Sequence, residues 1–300
     1  MLHHFNVTIT MSLQKYGPAL CTIGKGVFGI VTKHTHSNKV FALKTIAEPD
    51  WCFREKEICE FLSVHNHENV VNIIEVLTTN QLVIVMEYIS KTLHDILMRM
   101  NSMNQRLKQH CAVKILSGVA SGIAFLHAYG LIHRDLKPQN ILVHLNSYTA
   151  KICDFGSCKF LEAINTTYIC TRYYRAPEQI LDCNYGFSAD MWSFGCISCE
   201  ITIGLPFFIG ESNTSQLCEI IKKIGMISPE DFQKLRMDIQ LPPIKVKKRN
   251  LHDLLVVYCH GKAINVSYGT AYEDLLSKLL KWAPADRITA KEVLQHIFFT

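Results

Sequence analysis

The sequence predicts an α+β fold of two lobes, a small β-rich lobe with one helix followed by a larger, mainly helical lobe. Length is the first observation, because 300 residues exceed what a single hydrophobic core usually serves. The second is a change of period. From about Leu20 to Tyr88, short β-branched runs are separated by turn residues; after Ser90, apolar residues recur at helical spacing. The third is composition, with 48% apolar and 19% charged residues, as in ordinary globular chains, and no repeats or low-complexity tracts. The chain divides into a short extension over 1–16, a small lobe over 17–89 and a large lobe over 90–299.

In chain order, residues 21–24 and 30–35 flank a glycine-rich turn, and a strand over 40–46 follows the turn at Ser37-Asn38. A helix comes next. Asp50 can cap it, and Trp51, Ile58 and Leu62 recur at helical spacing. Residues 70–76 and 81–88 read as a further strand pair. In the large lobe, 111–128 is a helix that stops at Gly130, where glycine commonly ends helices. The segment 189–203 is apolar all round, which predicts a buried helix. Helices over 271–281 and 290–296 close the chain. The stretch 232–271 has no clear pattern beyond a short basic run at 245–249. A solvated surface is the plainest reading of that run, and a nuclear-import signal the alternative.

Chemistry concentrates in a few ordered motifs. Ile23 leads into Gly24-Lys25-Gly26-Val27-Phe28-Gly29-Ile30-Val31, whose glycines let backbone amides close over phosphates without Cβ clashes. The same glycine spacing marks dinucleotide folds, but those need a helix directly after the third glycine, and Ile30-Val31-Thr32 is strand-like. Lys44 ends the apolar run Phe41-Ala42-Leu43. A buried lysine without a partner is costly, so it calls for anions, here nucleotide phosphates and a glutamate. Helical geometry selects Glu55, which lies within the stripe of Trp51, Ile58 and Leu62, whereas Glu57 points elsewhere and Glu60 nearly opposite.

The most specific segment is His133-Arg134-Asp135-Leu136-Lys137-Pro138-Gln139-Asn140. In phosphoryl transfer, Asp135 is expected to accept the substrate hydroxyl proton, Lys137 to offset charge on the transferring group and Asn140 to bind Mg²⁺. Asp154-Phe155-Gly156 follows, and Asp154 is expected to bridge Mg²⁺ to the β- and γ-phosphates of ATP. Ala176-Pro177-Glu178 then ends the segment.

Composition narrows the partners. The net charge of +5, from 31 basic and 26 acidic residues, is no nucleic-acid footprint. No run of 18 apolar residues exists, and the opening residues lack the pattern of a signal peptide. The twelve cysteines are scattered through apolar, periodic segments, as reduced thiols are, without zinc-ligand spacing. The expectation is a monomeric protein of the cytoplasm or nucleus, with no nucleic-acid or membrane partner.

From about residue 17 to 299 the chain resembles a eukaryotic protein kinase. Asp190-Met191-Trp192-Ser193-Phe194-Gly195 is similar to that family's buried anchoring helix, and Pro284-Ala285-Asp286-Arg287 to its late helix. The resemblance implies a structural ion pair between Glu178 and Arg287. It also implies Met86 at the back of the adenine pocket, Glu87, Tyr88 and Ile89 in a hinge that bonds adenine, and Ala42 and Leu142 sandwiching the base. ATP and Mg²⁺ are the implied cofactors and proteins the implied substrates. Lys137 follows the serine/threonine rather than the tyrosine kinase pattern. A pseudokinase scaffold would lack Lys44, Asp135 or Asp154, and none is missing. A small-molecule kinase would not need the peptide platform at 171–176.

Arg175 before Ala176-Pro177-Glu178 is similar to the CMGC group of cyclin-dependent, mitogen-activated and glycogen synthase kinases. Ser157-Cys158-Lys159 after Gly156, Tyr168-Ile169-Cys170-Thr171-Arg172-Tyr173-Tyr174, Phe53-Arg54-Glu55 and Gln216-Leu217-Cys218-Glu219 most resemble the glycogen synthase kinase 3 (shaggy) family. That likeness implies a pocket of Arg54, Arg134 and Lys159 for a phosphate already on the substrate. The second reading is that these cations take a phosphate on the chain's own activation segment. Two departures keep it open: the segment between Gly156 and Tyr168 is shorter than the shaggy pattern, and Thr166-Thr167-Tyr168 fits the T-x-Y of mitogen-activated kinases. Tyr168 is a phosphorylation site under either reading. A scaffold-docking surface within 232–271 is the weakest transfer, since the resemblance fades there.

Overall fold

The computed structural model describes residues 13–26, 29–47, 52–78, 80–163, 171–234, 253–255 and 269–300. Strands β1 (Ala19–Gly26), β2 (Gly29–His36), β3 (Lys39–Ile46), β4 (Ile73–Thr78) and β5 (Leu82–Glu87) form one antiparallel sheet in the order β1-β2-β3-β5-β4. Register decides what each face does. Val31 lies opposite Lys44, Lys44 opposite Ile84, and Ala42 opposite Met86. With a side-chain period of two, these residues share one face, and Leu43, Val83 and Val85 share the other. Tyr16 covers that second face, buried against those three residues, and its hydroxyl donates to Glu75 Oε2 at 2.6 Å.

Strand β4 begins at Ile73, not at Val70 as the apolar run suggests. Val70 and Val71 pair with the other lobe instead. Val71 N donates to Ile152 O and Ile152 N to Asn69 O, both at 2.9 Å. Helix α1 (Phe53–Val64) buries Glu55, Ile58, Cys59 and Leu62, while Glu57 and Glu60 face solvent as the helical spacing predicts. The proposed cap, Asp50, and Trp51 lie outside the described residues.

The large lobe opens with α2 (Leu93–Ser102), started by a reciprocal cap in which Thr92 Oγ1 accepts from Asp95 N and Asp95 from Thr92 N. Helix α3 (Gln109–Ala128) is long and apolar enough to cross a membrane by length and composition alone. Its apolar face packs instead on the short strands and neighbouring helices of the lobe. Strands β6 (Leu131–Ile132), β7 (Ile141–Val143), β8 (Ala150–Ile152) and β9 (Lys159–Phe160) pair as β6 with β9 and β7 with β8. Then come α4 (Pro177–Ile180), α5 (Phe187–Ile203), α6 (Asn213–Ile224), α7 (Pro229–Lys234), α8 (Gly269–Leu279) and α9 (Ala290–Leu294). Every residue of α5 from Ala189 to Ile203 is buried, as its uniform apolarity predicts.

The Glu178–Arg287 pair is fully buried and fully satisfied. Arg287 Nη1 and Nη2 meet the two Glu178 oxygens at 2.5 and 2.7 Å, and the guanidinium also donates to the carbonyls of Lys281, Ser188 and Trp282. Removing one partner strands a buried charge, so Arg287→Met is expected to cost about 3 kcal/mol or more of unfolding free energy in urea titration. A second buried acid, Glu200, is met by a tyrosine. Burial pushes Glu200 up to about 7, against a hydrogen bond from Tyr174 at 2.6 Å that lowers it. With its folded value raised, the group favours the fold most below pH 4.5 and loses that contribution as pH rises through about 7. Glu200→Gln should therefore flatten the decline in melting temperature over that window.

Candidate active site

A cleft of about 830 Å³ lies between the sheet and the large lobe. Ile23, Gly24, Lys25, Gly26, Gly29, Val31, Ala42 and Lys44 line it from β1 to β3, with Met86, Glu87, Tyr88 and Ile89 along its back. Leu142, Asn140, Lys137 and Asp154 line it from the large lobe. Gly29 has a φ of +141°, which strongly favours glycine, and a Cβ there would run into the Thr45 carbonyl. Ile30 is a correction: it alternates with Val31, faces away from the cleft and is 42% exposed. Val27 and Phe28 lie outside the described residues. Cys59, Val71, Ile84, Ser90, Thr92, Asp95, Gln139, Cys153, Phe155 and Thr171 also line the cleft, where the sequence motifs assign them no role. The strand period that places Ala42 and Lys44 would have found Ile84.

Lys44 is the electrostatic centre. Its Nζ meets Glu55 Oε1 at 2.6 Å and Asp154 Oδ1 at 2.9 Å, so one ammonium joins β3, α1 and the loop after β8. Burial alone would push this ammonium down, but Asp154 and Glu55 outweigh it and hold it above its ordinary range. Burial pushes Glu55 up, only partly offset by Lys44. For Asp154 the balance reverses, and Lys44 keeps the carboxyl below its ordinary range despite burial.

The loop from His133 to Asn140 takes its shape from Asp190 on α5. Its carboxylate is 1% exposed and accepts the backbone N–H groups of His133 and Arg134, each at 2.9 Å, and faces His127 Nε2 at 2.9 Å. Arg134 there adopts φ +69°, a conformation uncommon for non-glycine residues. Asp135 Oδ2 takes Lys137 Nζ at 2.7 Å, and Asn140 Nδ2 donates to the Asp135 carbonyl at 2.8 Å. Thr171 completes the group: its N donates to Asp135 Oδ1 at 2.9 Å, and its hydroxyl lies 2.9 Å from Lys137 Nζ. A carboxylate held this way beside an ammonium can orient a hydroxyl and accept its proton.

The donor set suits Mg²⁺. Asp154 gives Oδ1 to Lys44 while its side chain stays 41% exposed, and Asn140 commits its amide nitrogen to Asp135, leaving its carbonyl oxygen to offer. A carboxylate and a carboxamide facing one cleft are the hard oxygen ligands that ion prefers.

The basic residues form a separate group beyond the cleft. Arg134 Nη1 donates to Tyr185 Oη at 3.0 Å, and Lys159 Nζ lies 5.5 Å from the centre of the Tyr185 ring. Arg134 Nε also donates to Ser157 O at 2.5 Å, and Lys159 Nζ to Ala163 O at 2.6 Å. Burial pushes the Lys159 ammonium down, and the charges of Arg134 and Arg54 push it further. Arg134 and Lys159 are buried, whereas Arg54 is exposed at the start of α1. Tyr185 was not anticipated, and no pattern in its own segment marks it. Thr166 and Tyr168 lie outside the described residues.

Comparison with known proteins agrees with this geometry. Residues 19–299 match the family model for the protein kinase domain. The chain is 34% identical to protein kinase gsk3 of Schizosaccharomyces pombe over 293 residues, which cover 92% of this chain and 72% of that relative. Thr171 gives the site its own test. Thr171→Val should lower kcat about tenfold with a smaller change in KM for ATP, because it removes the hydroxyl contacts to Asp135 and Lys137 while the adenine walls stay in place, and Thr171→Ser should restore most of it.

Proposed function

The chain belongs to the protein kinase family as a glycogen synthase kinase 3-like serine/threonine kinase, and we propose that it acts on proteins already carrying a phosphate near the acceptor hydroxyl. The observation that carries this reading is that Arg134 and Lys159 meet at Tyr185, with the charge of Arg54 acting on the same Lys159 ammonium. The two arginine charges are close enough to depress the Lys159 ammonium. Cations gathered against their own repulsion suit a dianion, and a phosphate supplies the charge and the acceptor oxygens. Arg134 directly precedes Asp135. A phosphate held there would fix the substrate chain relative to the group that takes the hydroxyl proton.

In this reading, adenine lies between Ala42 and Leu142 against the hinge at 87–89, and Lys44, kept in place by Glu55, holds the phosphates. Asp154 and Asn140 would hold Mg²⁺, which when bound neutralises charge developing on the phosphates. Asp135 orients the acceptor hydroxyl and takes its proton, and Lys137 offsets negative charge on the transferring group. The buried, unbridged thiol of Cys199 supports a reducing compartment, the cytoplasm or nucleus.

The hydrogen bond from Lys159 to Ala163, within the segment after Gly156, favours a second reading, in which that segment's own phosphate occupies the cluster. Two peptides distinguish them, both carrying Ser-x-x-x-Ser and only one phosphorylated on its C-terminal serine, with Asp135→Asn as the blank. A preference of about tenfold or more for the phosphorylated peptide, lost in Arg54→Ala, is expected. Equal turnover of both would sink the primed-substrate reading.

A further inference from the structure

Behind the hinge, away from the nucleotide face, lies a charged group that the catalytic arrangement does not use. Glu87 belongs to the hinge by its backbone, but its carboxylate is tied elsewhere. Oε1 accepts Asn72 N at 2.7 Å and Lys151 Nζ at 2.9 Å. The Glu87 backbone N in turn donates to Asn72 O at 3.1 Å. Lys151 stands on β8 of the large lobe, three residues before Asp154, and its ammonium also reaches Val70 O at 3.5 Å. Both side chains are largely shielded, Lys151 at 14% and Glu87 at 26% exposure.

The surrounding backbone makes this more than a surface pair. Residues 69–72 connect α1 to β4 and so belong to the small lobe, yet Asn69 and Val71 exchange backbone hydrogen bonds with Ile152, and Asn69 Nδ2 donates to Ala150 O at 2.9 Å. The linking segment is therefore stitched to β8 on one side and to the hinge on the other. The Lys151–Glu87 pair closes the third side, from β8 directly to the hinge. All three pieces bear on the cleft: Val71 lines it, Glu87 lines it, and β8 delivers Asp154.

We propose that Lys151 is a positioning residue, an interlobe clasp that fixes the hinge against β8 and so sets the spacing of the nucleotide walls from Asp154. Lys151 does not itself line the cleft. It acts by holding Glu87, whose backbone does, and by keeping residues 70–72 seated between the two. In the clasped arrangement the Lys44 contacts to Glu55 and Asp154 are both formed, so the clasp belongs to the assembled form of the site. Losing it frees the hinge to rotate and spreads nucleotide binding over more open arrangements, which weakens affinity without altering the proton-transfer group around Asp135.

The test is nucleotide binding and turnover with Lys151→Met and Lys151→Arg in the full chain, below the melting temperature of each. The probes are a fluorescent ATP analogue with Mg²⁺ and a serine-containing peptide. Lys151→Met should raise Kd for the analogue and KM for ATP about fivefold while kcat changes less than about twofold, and Lys151→Arg should stay near the parent. Glu87→Gln keeps the acceptor for Asn72 N but loses the charge, and should reproduce the Lys151→Met shift. A lower melting temperature with unchanged Kd and KM would make the pair merely structural and overturn the proposal. Tighter binding or higher turnover in Lys151→Met would overturn it too, since the pair would then restrain the site.

Discussion

The buried carboxylate of Asp190 is the constraint on which the functional half of the molecule depends. An acid without solvent is tolerable only when its oxygens are filled, and here the donors are His127 and the backbone N–H groups of His133 and Arg134. These contacts outweigh burial and hold the carboxyl below its ordinary range, so it stays charged. That charge fixes the backbone at the point where Arg134 takes its left-handed conformation. On one side of that bend Asp135 is held by Lys137 and Thr171, which line the cleft, and on the other the Arg134 guanidinium faces Tyr185. A largely apolar helix thus carries, besides Glu200, an acid that shapes a loop the helix does not contain.

Lys44 repeats the principle across the lobes. Its desolvation is offset only because two carboxylates from different elements reach it, so its location reports that α1 and the loop after β8 are both in place. Among the described residues the Glu55 oxygen not facing Lys44 is buried without a hydrogen-bond partner, and burial pushes the carboxyl up.

Much of this was legible in the sequence, where local rules and tertiary demands agree. The stripe on α1 selects Glu55 over Glu57 and Glu60, and the uniform apolarity of 189–203 marks α5 as buried. The period of two on β3 puts Ala42 and Lys44 on one face. The failures have equally specific causes. Val70 and Val71 read as strand because they are β-branched, but their hydrogen bonds go to Ile152 across the lobe boundary, a destination no local pattern encodes. Ile30 entered the nucleotide site by adjacency in the glycine motif, although strand alternation turns it outward. Thr171 and Tyr185 act through partners far away in the chain, Lys137 for the first and Arg134 and Lys159 for the second, so their neighbours in sequence carry no signal of them.

The basic group shows why proximity alone does not make an ion site. Arg134 and Lys159 are buried, which for isolated cations would be prohibitive, and each is supported by backbone carbonyls and by Tyr185. Carbonyl dipoles and a ring face soften the repulsion without cancelling it, since burial together with the charges of Arg134 and Arg54 still drives the Lys159 ammonium down. A dianion would cancel it, and the gain would be larger here than at an exposed site because solvent screening is weaker. The same Arg134 backbone is held by Asp190. Occupancy of the basic group and placement of Asp135 therefore share one short stretch of main chain. An anion pulling on the guanidinium would act against a fixed backbone, not a loose one, and would leave the group that receives the hydroxyl proton in place.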